Sequence, residues 1–501
     1  MNSPASRKKL YICVFTVTCL LTGVHPAKPD GIRYPWRAAP AIVLHGGQFG
    51  ILFDNTGPAP VDSIRLEGPY NHARLTIEGT EKGQYSFDPY TGASVNTRIR
   101  AGVPPGTPEE LYDLVIYTKA GNHRSVRSVK IIRQYRKQHR FIHISDPHIS
   151  RQWVGSPENG YAKELELFDK FVEIANIIAP DFIITTGDLI HDYTRLNADS
   201  LGWGGTLHTA PDEKPSAAEK FANYYEGAKG FKGVSGLNSP TFSITGNHDF
   251  YGPDAKDHMK KSLQWNQLNG KRVFGMSYGE TRVLFMDDFL GDPAVDVPDH
   301  APLSGLQGNV LKHFLETEGP GKIRILAQHR PDRIDTAFCD SYGIKLILNG
   351  HNHRPFQELV GKTPTLSIRP GSIARSGSVA EWEKVLGFFR VFTIEEGSYT
   401  FTEPLRIADN PVAEYANLEP NMLLAFRASN DGSQSRNEAT IDNRFPTTFR
   451  DCAVRFVMKK GKYTVEGAEI NQVIESGAFS VVDVNVDIGA KEIKKISIRS
   501  L

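Results

Sequence analysis

The stretch RFIHISDPH, residues 140–148, reads as a buried strand that runs straight into Asp146 and His148. The same arrangement recurs down the chain. DFIITTGD (181–188) ends at Asp188, TFSITGNHD (241–249) at Asn247, His248 and Asp249, KIRILAQH (322–329) at His329, and KLILNGHNH (345–353) at His351 and His353. Between the first two runs, Leu165, Phe168, Phe171, Val172, Ala175 and Ile178 recur at helical spacing until Pro180 stops them. Strands alternating with helices predict a layered α/β domain over residues 138–408. Ligands of open α/β sheets bind beyond the carboxyl ends of the strands. These run ends would therefore gather Asp, His and Asn side chains around one point. His351 and His353, one residue apart, face the same way on an extended chain. Singly, each piece is a common surface pair or turn; the ordered set, each member at a strand end, points to metal binding.

On either side the pattern changes to short apolar runs. Residues 28–137 carry AIVLHG, FGILFDN, SIRLEG, ARLTIEG, YSFDP, VNTRIRAG, YDLVIYTKAG and SVKIIRQY, separated by turn residues. Such spacing predicts an immunoglobulin-like β-sandwich. Residues 409–501 return to β signals, with KKGK (459–462) as an expected hairpin loop in a small C-terminal β domain. Neither flank shows a catalytic cluster, so both are expected to contribute no ligand. The segments 191–215 and 288–302 read as long loops, which in compact domains are commonly functional.

Residues 1–27 predict a signal peptide: Arg7-Lys8-Lys9 precede an uncharged apolar run from Leu10 to Val24. A buried N-terminal strand or helix is the alternative. The run is shorter than the roughly 20 residues that span a bilayer. The mature chain is thus expected to be secreted or periplasmic, with no transmembrane anchor. It would keep Cys339 and Cys452, too few for a disulfide scaffold. Across 501 residues, Lys+Arg 58 balance Asp+Glu 57 to a formal net charge of +1. Proteins that grip a nucleic-acid backbone carry a basic excess, so that partner is disfavoured. Hydrophobic residues at 40% exclude a largely disordered chain.

Asp146-x-His148, Gly187-Asp188, Gly246-Asn247-His248-Asp249, His329 and Gly350-His351-x-His353 resemble, in order, the motifs of the calcineurin-like metallophosphoesterases. Purple acid phosphatases of the same superfamily carry Gly where His148 stands, and Tyr where His191 stands. The resemblance is therefore to the non-purple branch, which includes bacterial phosphodiesterases and phosphatases. It covers the middle domain and implies a four-layer core, a β-sandwich flanked by helices.

The resemblance also implies roles. Asp146, His148 and His353 would hold one divalent ion and Asn247, His329 and His351 a second, with Asp188 bridging. O and N ligands without thiolate suit Mn, Fe or Zn. Phosphoester hydrolysis would use a hydroxide held between two ions about 3.5–4 Å apart. His248 would act on the leaving group, with Asp249 orienting its ring. His191 resembles a histidine of DNA-repair nucleases and is a candidate substrate contact; a solvated loop histidine is its alternative. Arg330 is a candidate for a phosphate oxygen, against a surface ion pair. Phe250 and Tyr251 could wall the pocket or simply pack. The expected substrate is a small phosphodiester or phosphomonoester such as a nucleotide. The alternatives are an exonuclease and a cell-envelope binding protein with a relic site.

Overall fold

The computed structural model describes residues 31–55, 60–149, 160–190, 217–228, 230–250, 258–287, 305–373, 387–408 and 419–501. The expected signal peptide, the two long loop segments, His191 and Tyr251 lie outside the described residues.

The middle of the chain is an α/β domain built on two sheets. In the first, Thr241–Ile244, Phe182–Thr186 and Gln138–Ile144 run parallel, and Phe388–Glu395 joins the last of them antiparallel. In the second, Thr281–Phe285, Ile323–Ala327, Leu346–Leu348 and Thr365–Arg369 are parallel, with antiparallel edges at Phe274–Tyr278 and Phe356–Val360. The strand runs are almost continuously apolar because both faces are covered. Alternation still sorts the side chains. Phe141, Phe182, Ile184, Ile325 and Ala327 share one cluster between the sheets, whereas Ile142 and Ile144 belong to a cluster on the helix side. Phe141 stacks on both Phe182 and Phe392, with ring centroids 5.2 and 4.7 Å away. Burying one such ring stabilises by roughly 1.5–3 kcal/mol.

The helix Gly160–Ile178 buries the expected Leu165, Phe168, Phe171, Val172, Ala175 and Ile178. It also buries Leu167, Ile174 and Ile177. A helix apolar on more than one face must be covered on more than one side. The C-terminal domain supplies the second cover: strands Phe449–Lys459 and Met422–Phe426 pack on this helix. Phe449, Val454, Phe456 and Val484 belong to the same apolar cluster as Phe168 and Phe171. The C-terminal domain is thus continuous with the central core rather than a bead beside it.

That domain has a four-stranded and a three-stranded sheet. KKGK is not a hairpin loop. Phe449–Lys459 pairs with Phe479–Ile488, while Tyr463–Glu466 pairs with Ile493–Ser500 in the other sheet. The tetrapeptide is a crossover between layers, and Gly461 lacks the positive φ of a two-residue hairpin turn.

The N-terminal domain is one eight-stranded sheet. The runs ARLTIEG and YS are a single strand, His72–Ser86, that pairs with Val61–Glu67 through its first residues and with Ser94–Gly102 through the rest. Register shifts at Ile77/Gly79 and Lys82/Tyr85 mark bulges along it. The two flanking domains also touch each other. Arg455 pairs with Asp483 at 2.7 Å and with Glu110 of the N-terminal domain at 2.8 Å. Gln472 donates to the carbonyl of Glu109 at 2.8 Å.

A chain truncated after residue 408 should therefore expose the second face of Gly160–Ile178. The expected outcome is strong binding of a hydrophobic dye and aggregation in sedimentation. A monodisperse truncated chain with a native near-UV spectrum would show the domains to be separable.

Candidate dinuclear metal centre

Asp146 and His148, Asp188, and Asn247 follow three parallel strands of the first sheet; His329 and His351 follow two parallel strands of the second. The strand ends are laced together by main-chain bonds. Asp146 N–H donates to Gly187 O at 3.1 Å, His148 N–H to Asp188 O at 2.9 Å, and Gly350 N–H to His329 O at 2.9 Å. Two motif glycines are required by close approach. A Cβ on Gly246 would overlap Asp188 Oδ1, and one on Gly350 would overlap Ser145 Oγ and lie 2.6 Å from Asp146 Oδ2. Asp146, His148, Asp188, His351 and His353 all have left-handed backbones, with φ of 54°, 48°, 53°, 73° and 55°. Each costs of order 1–3 kcal/mol and persists only where the surroundings over-determine it, which is common at functional sites.

Two groups of ligand-type side chains result: Asp146, His148, Asp188 and His353, and Asp188, His329 and His351. Asp188 belongs to both. Asn247 joins the second, its Oδ1 lying 3.0 Å from His329 Nε2 and 3.0 Å from His351 Nδ1. In the first group the Nε2 atoms of His148 and His353 face each other at 2.9 Å. Asp188 Oδ2 is buried 3.2 Å from His329 Nε2 and 3.5 Å from His148 Nε2, with no aligned hydrogen bond. His329 Nδ1 sits 2.7 Å from Thr186 O, so the Nδ1–H donates there and Nε2 is left with its lone pair.

The protonation states suit a cation. Burial holds the His148 imidazole well below its usual range and lowers His351 to about 4, so both rings are neutral at pH 7. Burial alone would raise Asp146 and Asp188. The neighbouring histidines outweigh it and hold both carboxyls below the ordinary range: His353 and His148 at Asp146, and His329 and His248 at Asp188. Ionised carboxylates, the neutral rings of His148 and His351 and an amide oxygen, with an orphaned buried carboxylate oxygen shared between the groups, fit one divalent ion in each.

His248 is buried beside the centre but belongs to neither ligand group. Its ring centroid is 4.7 Å from that of His148, and its N–H donates to Asp188 Oδ1 at 2.8 Å. The Asp249 carboxylate accepts from Gly246 N–H at 2.8 Å and from Ile190 N–H at 3.1 Å, which staples two site loops together. Burial and the charge of Asp188 push its carboxyl well above the ordinary range. Arg330 donates to Asp332, Nε to Oδ1 at 3.1 Å and Nη2 to Oδ2 at 2.8 Å. Phe250 is buried and stacked near Trp265, 6.1 Å between centroids, as packing requires.

Sequence reading missed Asp287, which accepts from Thr245 Oγ1 at 2.6 Å directly behind the Asn247 turn. The signal was present: TRVLFMD (281–287) is another apolar run ending in a carboxylate. It also missed Ser372, whose Oγ donates to the Asp146 carbonyl at 2.8 Å.

Residues 139–355 match the profile of the calcineurin-like phosphoesterases, and the central domain of this chain belongs to that family. No curated protein sequence matches the chain. Among solved structures it is similar to GAP50, the anchor in the inner membrane complex of Plasmodium, at 13% identity and TM-score 0.32, covering 54% of this chain and 84% of that one. A predicted phosphoesterase from Streptococcus pneumoniae is similar at 15% identity and TM-score 0.22, covering 53% and 90%. Zn-complexed Vps29 from Entamoeba histolytica is similar at 10% identity and TM-score 0.23, covering 53% and 98%.

Asp188→Ala should abolish or severely weaken binding of both metal ions, whereas His353→Ala should mainly weaken one; metal analysis after dialysis reads the difference. Unchanged metal content in Asp188→Ala would refute the shared ligand. Acid should destabilise the metal-free protein. His143, buried with its pKa lowered to about 3, and His351 at about 4 stay neutral in the fold while the unfolded chain protonates near 6.5. The unfolded state then binds more protons, so stability falls as pH drops from about 6.5 toward 4, by up to about 1.4 kcal/mol per pH unit for each group. The depressed Asp146 and Asp188 extend the loss below pH 4. A metal-free Tm unchanged between pH 7 and 5 would contradict this.

Proposed function

We propose that this chain is an exported, dinuclear-metal phosphoesterase acting on small phosphodiesters or phosphomonoesters such as nucleotides. The observation that carries the reading is Asp188, one carboxylate shared by two compact ligand groups, with a non-ligand histidine beside them. Two bound divalent ions would neutralise phosphoryl oxygens and make water nucleophilic at neutral pH. The chain's own residues do the rest. Asp146, His148, Asp188, Asn247, His329, His351 and His353 would hold the ions. The rigid strand ends fix those side chains before substrate arrives. His248 delivers a proton to the departing ester oxygen, so the bond to phosphorus breaks without leaving an unprotonated alkoxide.

His148, where purple acid phosphatases carry Gly, supports the non-purple branch. Export rests on the basic-then-apolar pattern of residues 7–24. The net charge of +1 favours small esters over a nucleic-acid polymer. We read the N-terminal domain as an immunoglobulin-like support module. A panel of phosphomonoesters, phosphodiesters and single-stranded DNA, each with Mn2+, Fe2+ and Zn2+, separates these substrate classes. No hydrolysis of any of them by metal-loaded protein would refute the enzyme reading.

His248→Asn tests the leaving-group step. Metal content should stay near normal and kcat/KM should fall by about 10²–10⁴-fold. The loss should be largest for an alkyl ester and smallest for a nitrophenyl ester, whose leaving group departs with little help. Equal losses on the two esters would remove the proton-donor role.

A further inference from the structure

The N-terminal domain reaches into the wall behind the metal centre. Its turn after Ser86 is closed by Asp88, whose Oδ1 accepts from the N–H groups of Tyr90 and Thr91 at 2.9 and 3.2 Å. The same carboxylate is carried into the central domain. Arg272 Nε donates to Asp88 Oδ2 at 2.7 Å and Nη2 to Oδ1 at 3.2 Å, while Asn266 Nδ2 donates to Oδ2 at 2.8 Å. Arg272 turns its remaining arm to Asp287, Nη1 to Oδ2 at 2.6 Å. The other oxygen of Asp287 accepts from Thr245 Oγ1 at 2.6 Å. Gln307 clamps the Asp287 main chain, accepting from its N–H at 3.0 Å and donating to its carbonyl at 2.7 Å. Asp88, Arg272, Asp287 and Thr245 are all buried, with exposures of 2, 0, 0 and 0%.

Thr245 is the first residue after the strand Thr241–Ile244, in the turn that delivers Asn247 and His248. On the site side this turn is held by Asp188, through the His248 N–H, and by Asp249, through the Gly246 N–H. On the far side its hydroxyl is held by Asp287. Arg272 is a rigid fork that joins two carboxylates from two domains, a geometry that a lysine cannot reproduce. Removing one partner of such a buried group leaves charge uncompensated and frees the other groups to move. A shift of about 1 Å in a positioned group costs on the order of a hundredfold in rate.

We propose that Asp88 of the N-terminal domain is a positioning residue for the metal centre, acting through Arg272, Asp287 and Thr245 on the turn that carries Asn247 and His248. The proposal deepens the phosphoesterase reading and rests on it for its kinetic arm alone.

The test compares wild type with Asp88→Asn, which keeps shape and removes the charge. Exchange of the Gly246–Asp249 amides in metal-free protein should quicken in the variant. In calorimetric titration with Mn2+, one of the two ions should bind at least about tenfold more weakly, and the other should be within about twofold, because Asn247 is the one ligand carried on the turn. On a small phosphoester, kcat should fall about ten- to hundredfold with little change in KM. Combined with Thr245→Val, the losses should be strongly non-additive, as for residues of one chain of contacts. Wild-type exchange and Mn2+ binding in folded Asp88→Asn would overturn the proposal, as would fully additive losses. Equal weakening of both ions would also overturn it, since that is the mark of general destabilisation. If Asp88→Asn does not fold, Arg272→Lys reads the same connection with the cation retained, and the same outcomes apply. If wild type hydrolyses no phosphoester, the enzyme reading fails, and amide exchange still decides the role of Asp88.

Discussion

Two ionised carboxylates, Asp146 and Asp188, are buried close together, and most of the central domain answers that constraint. Taking a carboxylate out of water costs several kcal/mol even after relaxation. Main-chain donors supply part of the compensation, from His351 to Asp146 and from His248 to Asp188. The remaining negative charge suits the site to cations. To bring those donors so close, Gly246 and Gly350 must lack a Cβ, and the ligand residues must accept left-handed backbones. Two sheets packed on a shared apolar layer, with their strand ends gathered at one point, are stiff enough to impose these local costs.

Much of this was legible because fully buried strands are continuous apolar runs, so a polar residue that ends one stands out. Asp146, Asp188, Asn247, His329 and His351 were visible for that reason, and Asp287 carried the same mark. Asp88 carried none. In SFDPYTG it looks like any turn aspartate that bonds its own following N–H groups, which it also is. The pairing of strands was less legible. Whether the chain after Lys459 turns back or crosses over depends on which distant sheet needs another strand, and no local pattern encodes that. For the helix Gly160–Ile178, Leu167, Ile174 and Ile177 announce a second buried face without naming its partner.

The domains therefore differ from a row of separate modules. Arg272 ties the first to the second, the Gly160–Ile178 helix ties the second to the third, and Arg455 with Gln472 ties the third back to the first. The contacts form a closed ring, so no single joint can hinge without straining the other two. A catalytic domain gripped in this way has little freedom to reshape its strand ends, which favours a fixed metal geometry over one assembled by domain closure.

The shared apolar cluster has a further consequence for how the chain is made. The helix Gly160–Ile178 emerges early in synthesis, but the strands that cover its outer side, Met422–Phe426 and Phe449–Lys459, follow far downstream. Domains commonly fold as units in order of synthesis. Here the central unit cannot finish until the third arrives, so its greasy flank stays open throughout elongation. A chain in this half-dressed state would offer that flank to ribosome-associated chaperones.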